Sequence, residues 1–443
     1  MKYKLSDVSI KPNSKRERQY CRKHNIELRR LANGITIAAI PFVAEDMAFA
    51  KIDWQFPVGA YLNPPGSVHF FEHFFNKKVM KAAVKNSIDV NAYTSQISVV
   101  EMAKGICNPD VDDFGIWEML LPIRNALETP ITKESEIESE KQVIADEIRR
   151  NKNDHERQTG MHFLEVMYAK DNPLVNSPIV TGEEKYLEKI TFEVLESMVN
   201  KILIPDGLLI SVYTEGKRES AKLLTEKIVK LFKAFPRNEA KSQKADIKLR
   251  DKINPDFKAG EVYVKDTGIN NKRISFEFVW VFNIKFPDPA RFAVRRIVPP
   301  LYANLHEYSR MAGWGYYTDV FVDRPSDNLL ILTIRVDTNK IAEPEKFAQE
   351  KLWPAIKEHV VKKVDEKVIE EIYELEDKKQ RAIPIRTVDR LDWMISGLSE
   401  DGKMIDADVV QKIHLQIKPK HMNRYIKDLL TIKPAVIITG DLS

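Results

Sequence analysis

The chain is 443 residues long and 43% hydrophobic, and its 69 Lys and Arg face 65 Asp and Glu for a net charge of +4 at pH 7. Such a length suits two or three domains, each with its own core, and the interspersed, nearly balanced charge offers no basic face for nucleic acid or a membrane surface. Cys21 and Cys107 stand 86 residues apart without a CxxC spacing, which argues against a disulfide framework or a cysteine-ligated zinc. With no signal-peptide run at the N-terminus and no apolar stretch of membrane-span length, the expectation is a soluble, cytoplasmic protein with free thiols.

Residues 1–21 are polar and basic and read as an N-terminal extension. Order is expected to begin with "IELRRLANGITIAAIPF", where Asn33 and Gly34 form a turn between two strand-like runs. A third strand, "AFAKIDWQFPVGA", is followed by the proline-marked loop "YLNPPGS" and then by "SVHFFEHFFN". The β-branched stretch "SIDVNAYTSQISVVEMAKGI" reads as a strand pair, and residues 110–126 read as a helix. From Thr132, "TKESEIESEKQVIADEIRRNKNDHERQ" has apolar residues at Ile137, Val143, Ile144 and Ile148 and reads as one long helix with Thr132 as its N-cap.

An internal repeat organises the remainder. Residues 191–216 and 418–443 share one plan of amphipathic helix, proline-containing loop, apolar strand and glycine, and 260–282 resembles the first strands. The polar, proline-marked 236–260 reads as a linker. The fold class is therefore α+β, with two duplicated domains at 22–235 and 261–443, each an antiparallel-rich sheet packed with helices.

The chemistry concentrates in "HFFEH". On a helix His69 and His73 stand one turn apart on the same face, where two imidazoles can converge on one ion, and Glu72 lies beside them. The competing reading is a core helix with two incidental histidines. The glutamate precedes the second histidine, which makes this the inverted HxxEH order rather than HExxH. A catalytic zinc needs about three protein ligands, and the long helix offers Glu140 and Glu147, two turns apart on one face.

These residues together resemble the M16 peptidases, the family of pitrilysin, insulin-degrading enzyme and the mitochondrial processing peptidases. There HxxEH is followed at a similar distance by a glutamate ligand, with a second glutamate two turns before it; here Glu147 lies 74 residues after His73. The resemblance implies a short, two-domain, clam-shell-half member. In it His69, His73 and Glu147 bind one Zn2+ per chain, Glu72 is the general base and Glu140 is a supporting acid. "NAYTS" is similar to the family's Asn-Ala-x-Thr strand, which implies that Asn91 and Ala92 help hold the substrate peptide as an added strand. "RMAGWGYY" resembles its Arg-to-Tyr element, carried by Arg310 and Tyr317, with Tyr316 as the alternative tyrosine because a glycine is displaced. Departures from the family pattern are "SIDV" before Asn91 and "FNKK" after the motif.

The second half has no HxxEH, so one active and one inactive half are implied. His155 and His162 read as ordinary helix or surface histidines. The expected activity is zinc-dependent hydrolysis of peptides or small unfolded proteins, in a homodimer or in a heterodimer with a related chain. The alternative is a catalytically inactive subunit acting as a scaffold or processing partner.

Overall fold

In the computed structural model the described residues are 9–11, 13–41, 49–57, 64–86, 88–95, 98–106, 116–128, 134–172, 175, 180–202, 208–214, 218–235, 252–268, 272–285, 288–315, 317–324, 328–339, 341–382, 394, 397–398 and 403–442. Two sheets organise them. The first contains β2 (Glu27–Arg30), β3 (Thr36–Pro41), β4 (Phe49–Pro57), β5 (Asp89–Thr94), β6 (Ser98–Ile106) and β7 (Leu209–Thr214), in the order β2-β3-β7-β4-β6-β5. The second contains β8 (Val262–Asp266), β9 (Arg273–Asn283), β10 (Tyr317–Asp323), β11 (Leu329–Asn339) and β13 (Ala435–Gly440), in the order β10-β11-β9-β13-β8. Read from the other edge, β8-β13-β9-β11-β10 repeats β3-β7-β4-β6-β5. In both sheets the first pair is parallel and every other pairing antiparallel. The duplication read from two helix-loop-strand segments thus extends to whole-sheet topology.

The turn between β2 and β3 falls at Asn33 and Gly34, where Gly34 adopts φ 102° and Asn33 donates to the Phe232 and Phe235 carbonyls at 3.0 and 3.1 Å. Helix α1 is Lys15–Lys23 and α2 is Ser67–Ala83. They are followed by α3 (Ile116–Glu128), α4 (Glu134–Lys152), α5 (His155–Met167), α6 (Phe192–Ile202) and α7 (Arg218–Phe232). The second half carries α8 (Pro289–Ala312), α9 (Glu366–Ala382), α10 (Ala407–His414) and α11 (Pro419–Thr431). One core joins Phe70, Phe71, Phe74 and Phe75 of α2 to α3, α4, α6 and the first sheet, and a second surrounds β9, β11 and α8.

From residue 9 onward the N-terminal extension is held in place: β1 (Ser9–Ile10) pairs with β12 (Met404–Ile405), and α1 buries Tyr20 and Cys21 in a cluster with Met404. Burial first, and then the charges of Glu17 and Glu27, push the Cys21 thiol up to about 12, so it is inert at neutral pH. The single long helix is two helices. Asp154 accepts from the amides of Glu156 and Arg157 at 2.8 and 3.1 Å, so it caps α5 and ends the run that α4 began. The linker, over its described part, is pinned: Ile253 bridges Tyr168, and Asn254 donates to the Met167 and Val166 carbonyls. Thr132, Cys107, Tyr316 and residues 236–251 lie outside the described residues.

His155 and His162 are also not surface residues. Helix α5 lies against the second sheet, packing Phe163, Val166 and Met167 on Val279, Ile331 and Ile437. His155 Nε2 is 2.8 Å from Ser275 Oγ and His162 Nδ1 is 2.7 Å from Thr439 Oγ1.

Burial, with a contribution from the Lys265 charge, lowers the His162 pKa from 6.5 to about 4. The unfolded chain therefore takes up this proton first, so the stabilising term is complete above pH 6.5 and drains as pH falls towards 4. Urea denaturation should show His162→Gln flattening that stretch of the stability curve by about 2–4 kcal/mol. Gly66 caps α2 at φ 90°, and a Cβ there would lie 2.8 Å from the Gly182 Cα. Gly66→Ala is expected to cost about 1–3 kcal/mol and to lower the thermal midpoint, because backbone rather than a flexible side chain must move.

Candidate metal and catalytic site

Helix α2 has two chemical characters because the 3.6-residue period sorts them. Phe70, Phe71 and Phe75 are fully buried, with the Phe71 and Phe75 rings stacked at 5.6 Å. His69, Glu72, His73 and Lys77 share the remaining face. That face meets α4, whose own apolar residues Ile137 and Ile144 enter the same core and so fix which carboxylates turn towards α2.

The ligand-type atoms of His69, His73 and Glu147 lie within 4.8 Å of one another. Glu147 Oε2 is 3.2 Å from His69 Nε2 and 3.5 Å from His73 Nε2. Three ligands about 2.1 Å from a tetrahedral ion stand about 3.4 Å apart, so these separations and the His, His, Glu donor set fit zinc. Glu140, only 1% exposed, accepts from His73 Nδ1 at 2.8 Å and from Lys77, which leaves His73 Nε2 directed at Glu147. The sequence reading made Glu140 a supporting acid without a partner; the geometry makes it the group that orients His73.

The charges follow from these contacts. Burial opposes a charge on His73, but hydrogen bonds to Glu140 and Glu147 and the nearby Glu72 outweigh it and hold the imidazole up at about 9. Hydrogen bonds from His69 and His73 hold Glu147 well below the ordinary carboxylate range. Burial likewise raises Glu140, and His73 and Lys77 more than reverse it.

Glu72 is buried at the edge of this group, 3.8 Å from His69 Nδ1, and its Oε2 accepts from Thr94 Oγ1 at 3.0 Å. Thr94 comes from β5, which ends the first sheet at the edge opposite β2. It belongs to the "NAYTS" segment, yet sequence reading singled out Asn91, because nothing local says which face of the strand α2 will cover. The strand alternates, with Ala92 and Thr94 half-buried and Asn91 exposed, and Asn91 Oδ1 accepts from the Ala92 amide at 3.0 Å.

Sequence reading also missed Glu101, opposite Ala92 on β6. It is fully buried with neither carboxylate oxygen bonded, and burial, with the Glu72 charge adding, pushes it up to about 9. At neutral pH it is a neutral acid near Glu72. Arg310 is exposed in the last turn of α8 and Tyr317 is 42% exposed at the start of β10, so both are carried by the second half.

No family model matches the chain, and no curated protein matches it in sequence. Its fold is shared with solved structures. A protease from Helicobacter pylori has a TM-score of 0.65 at 15% identity, covering 94% of this chain and 99% of that one. A peptidase M16 inactive domain from Pseudomonas fluorescens has a TM-score of 0.67 at 12% identity, covering 94% and 97%. The periplasmic protease PqqL from Escherichia coli has a TM-score of 0.65 at 15% identity, covering 98% of this chain and 48% of that one. At these identities the likeness is one of fold: the α+β architecture is that of an M16-like clam-shell half, a fold found here in proteases and in an inactive domain alike. Among the described residues no helix is long and apolar enough to cross a membrane.

Replacing Glu140 by Gln removes the charged acceptor from His73 Nδ1 while keeping its shape. Zinc affinity, measured by competition with a chromophoric chelator, is expected to fall about 10- to 100-fold.

Proposed function

We propose that this chain is a zinc-dependent metallopeptidase of the M16 type, hydrolysing peptides or small unfolded proteins with Glu72 as general base. The observation that carries the reading is the convergence of His69 and His73 from α2 with Glu147 from α4, beside a glutamate that is not itself needed as a ligand. His69, His73 and Glu147 would hold one zinc ion, which when bound lowers the pKa of water and polarises a carbonyl.

The chain's own residues do the rest. Glu72 takes the proton of the attacking water on its carboxylate and returns it to the leaving amine, so a single group serves as base and then acid. Thr94 holds one oxygen of Glu72, which limits the rotation of that carboxylate. Glu140 holds His73 by its Nδ1. Among the described residues β5 pairs only with β6, and its outer edge next to Glu72 suits an extended peptide added as a further strand, with Asn91 and Ala92 in its path. Arg310 and Tyr317 would contact the same peptide from the second half. A homodimer, or a heterodimer with a related chain, would supply the facing half of the clam-shell. Sparse cysteines outside any CxxC pattern support a cytoplasmic setting.

The fold likeness to an inactive M16 domain supports a second reading, a scaffold or processing partner without catalysis. The two separate in one experiment. Metal analysis and a quenched-peptide assay are expected to give one zinc per chain, chelator-sensitive hydrolysis, and a Glu72→Gln variant that keeps its zinc and loses about 100-fold or more in kcat. Full activity in that variant would falsify the mechanism, and zinc without any hydrolysis would favour the scaffold.

A further inference from the structure

A second cluster of buried charge lies where α5 meets the second sheet. Arg335 of β11 directs Nε and Nη2 at the two oxygens of Asp337, at 2.8 and 2.9 Å. Ser275 of β9 donates to Asp337 Oδ1 at 2.7 Å, and His155 Nε2 and Thr159 Oγ1 of α5 lie 2.8 and 3.2 Å from the same hydroxyl. All five residues are buried. The guanidinium of Arg335 also lies 5.2 Å from the centre of the Tyr317 ring.

Tyr317 is the first residue of β10, which among the described residues pairs only with β11, and the residue is 42% exposed. Its hydroxyl donates to Asp319 Oδ2 at 3.0 Å, which ties the tip of the side chain. The ring face is held by Arg335. A planar guanidinium clamped by both oxygens of a carboxylate has a fixed orientation, which a lysine ammonium in the same place would not have. Asp337 is in turn held by Ser275, and Ser275 by His155, the first residue of α5. Only Asn153 and Asp154 separate α5 from α4, the helix that carries Glu147. A continuous run of contacts therefore leads from the Glu147 helix to an exposed tyrosine of the other half. Burying a guanidinium and its carboxylate adds little net stability, so the arrangement is better explained by what it orients than by what it stabilises.

We propose that Arg335 is the positioning residue for Tyr317, and that the Arg335–Asp337–Ser275–His155 network sets this tyrosine relative to the His69, His73 and Glu147 centre for peptide binding. The inference rests on the peptide-binding part of the reading proposed for that centre. Arg335 is too buried to touch substrate and acts through the ring above it.

The test uses the full chain carrying Glu72→Gln, so that binding is read without turnover, with a fluorescein-labelled unstructured peptide followed by anisotropy. Arg335→Met and Tyr317→Ala are each expected to weaken binding about 5- to 30-fold, and the double variant no more than the larger single. Arg335→Lys should fall between Met and the parent. In the chain with Glu72 intact, Arg335→Met should raise KM by the same factor, with kcat within about twofold and zinc content unchanged. Unchanged binding by Arg335→Met, or effects that multiply in the double variant, overturn the proposal. If Arg335→Met does not fold, Arg335→Lys with Tyr317→Ala completes the same cycle. A peptide that binds the Glu72→Gln chain but is not cut when Glu72 is intact sinks the peptidase reading and leaves this one standing; no peptide binding at all overturns this one.

Discussion

The candidate site depends on a helix that is core on most of its circumference and polar on one narrow face. Burying Phe70, Phe71, Phe74 and Phe75 in one cluster leaves α2 no freedom to rotate, since a turn about its axis would bring His69 and His73 into the core and aromatic rings to the site. The imidazoles are thus aimed by the hydrophobic effect, and the polar contacts refine that aim. Glu140 adds the last element, because an imidazole held at Nδ1 by a buried carboxylate has its other nitrogen committed to the direction of Glu147.

The same sheet order occurs twice, but among the described residues the His, His, Glu group occurs once. After β9, in the position that α2 takes after β4, α8 presents Arg291, Phe292, Arg295 and Arg296 in its first two turns. Arg291 is buried there with its guanidinium on the carbonyls of Ile284 and Leu329, closing a loop instead of meeting a ligand. Among the described residues the duplicated scaffold therefore supplies packing in both halves and a metal-type donor set in one. The halves meet through α5, which joins apolar packing on the second sheet to buried hydrogen bonds, and through α1, whose Arg16 pairs with Asp406 at 2.9 Å while His24 pairs with Asp408 at 3.0 Å. The apolar packing supplies area, and the directional contacts within it fix relative orientation.

Glu101 shows how surroundings treat two like groups differently. Glu72 accepts from a hydroxyl and lies beside an imidazole, whereas Glu101 lies between β5 and β4 on the covered face without a donor. Burial without a donor, with the Glu72 charge adding, pushes Glu101 up to about 9.

The sequence by itself determined what is local. The i, i+4 placement of His69 and His73, the phenylalanine faces, the AsnGly turn and the repeated helix and strand all follow from covalent geometry and periodicity within a few residues. Asp154 carries a cap signal as well, but the helical apolar spacing before it masks the break between α4 and α5. Glu140 and Glu147 were recognisable as a pair, but which of them would orient a histidine and which would face it depended on how α4 packs on α2. Thr94, Glu101 and the Ser275 network were beyond sequence reading altogether. Thr94 meets Glu72 across 22 residues of chain and Ser275 meets His155 across 120, and Glu101 is enclosed on a face defined only when the strands are paired and covered. Tertiary structure decided those, because a side chain's partners across a sheet or between two halves are set by the packing of every element between them.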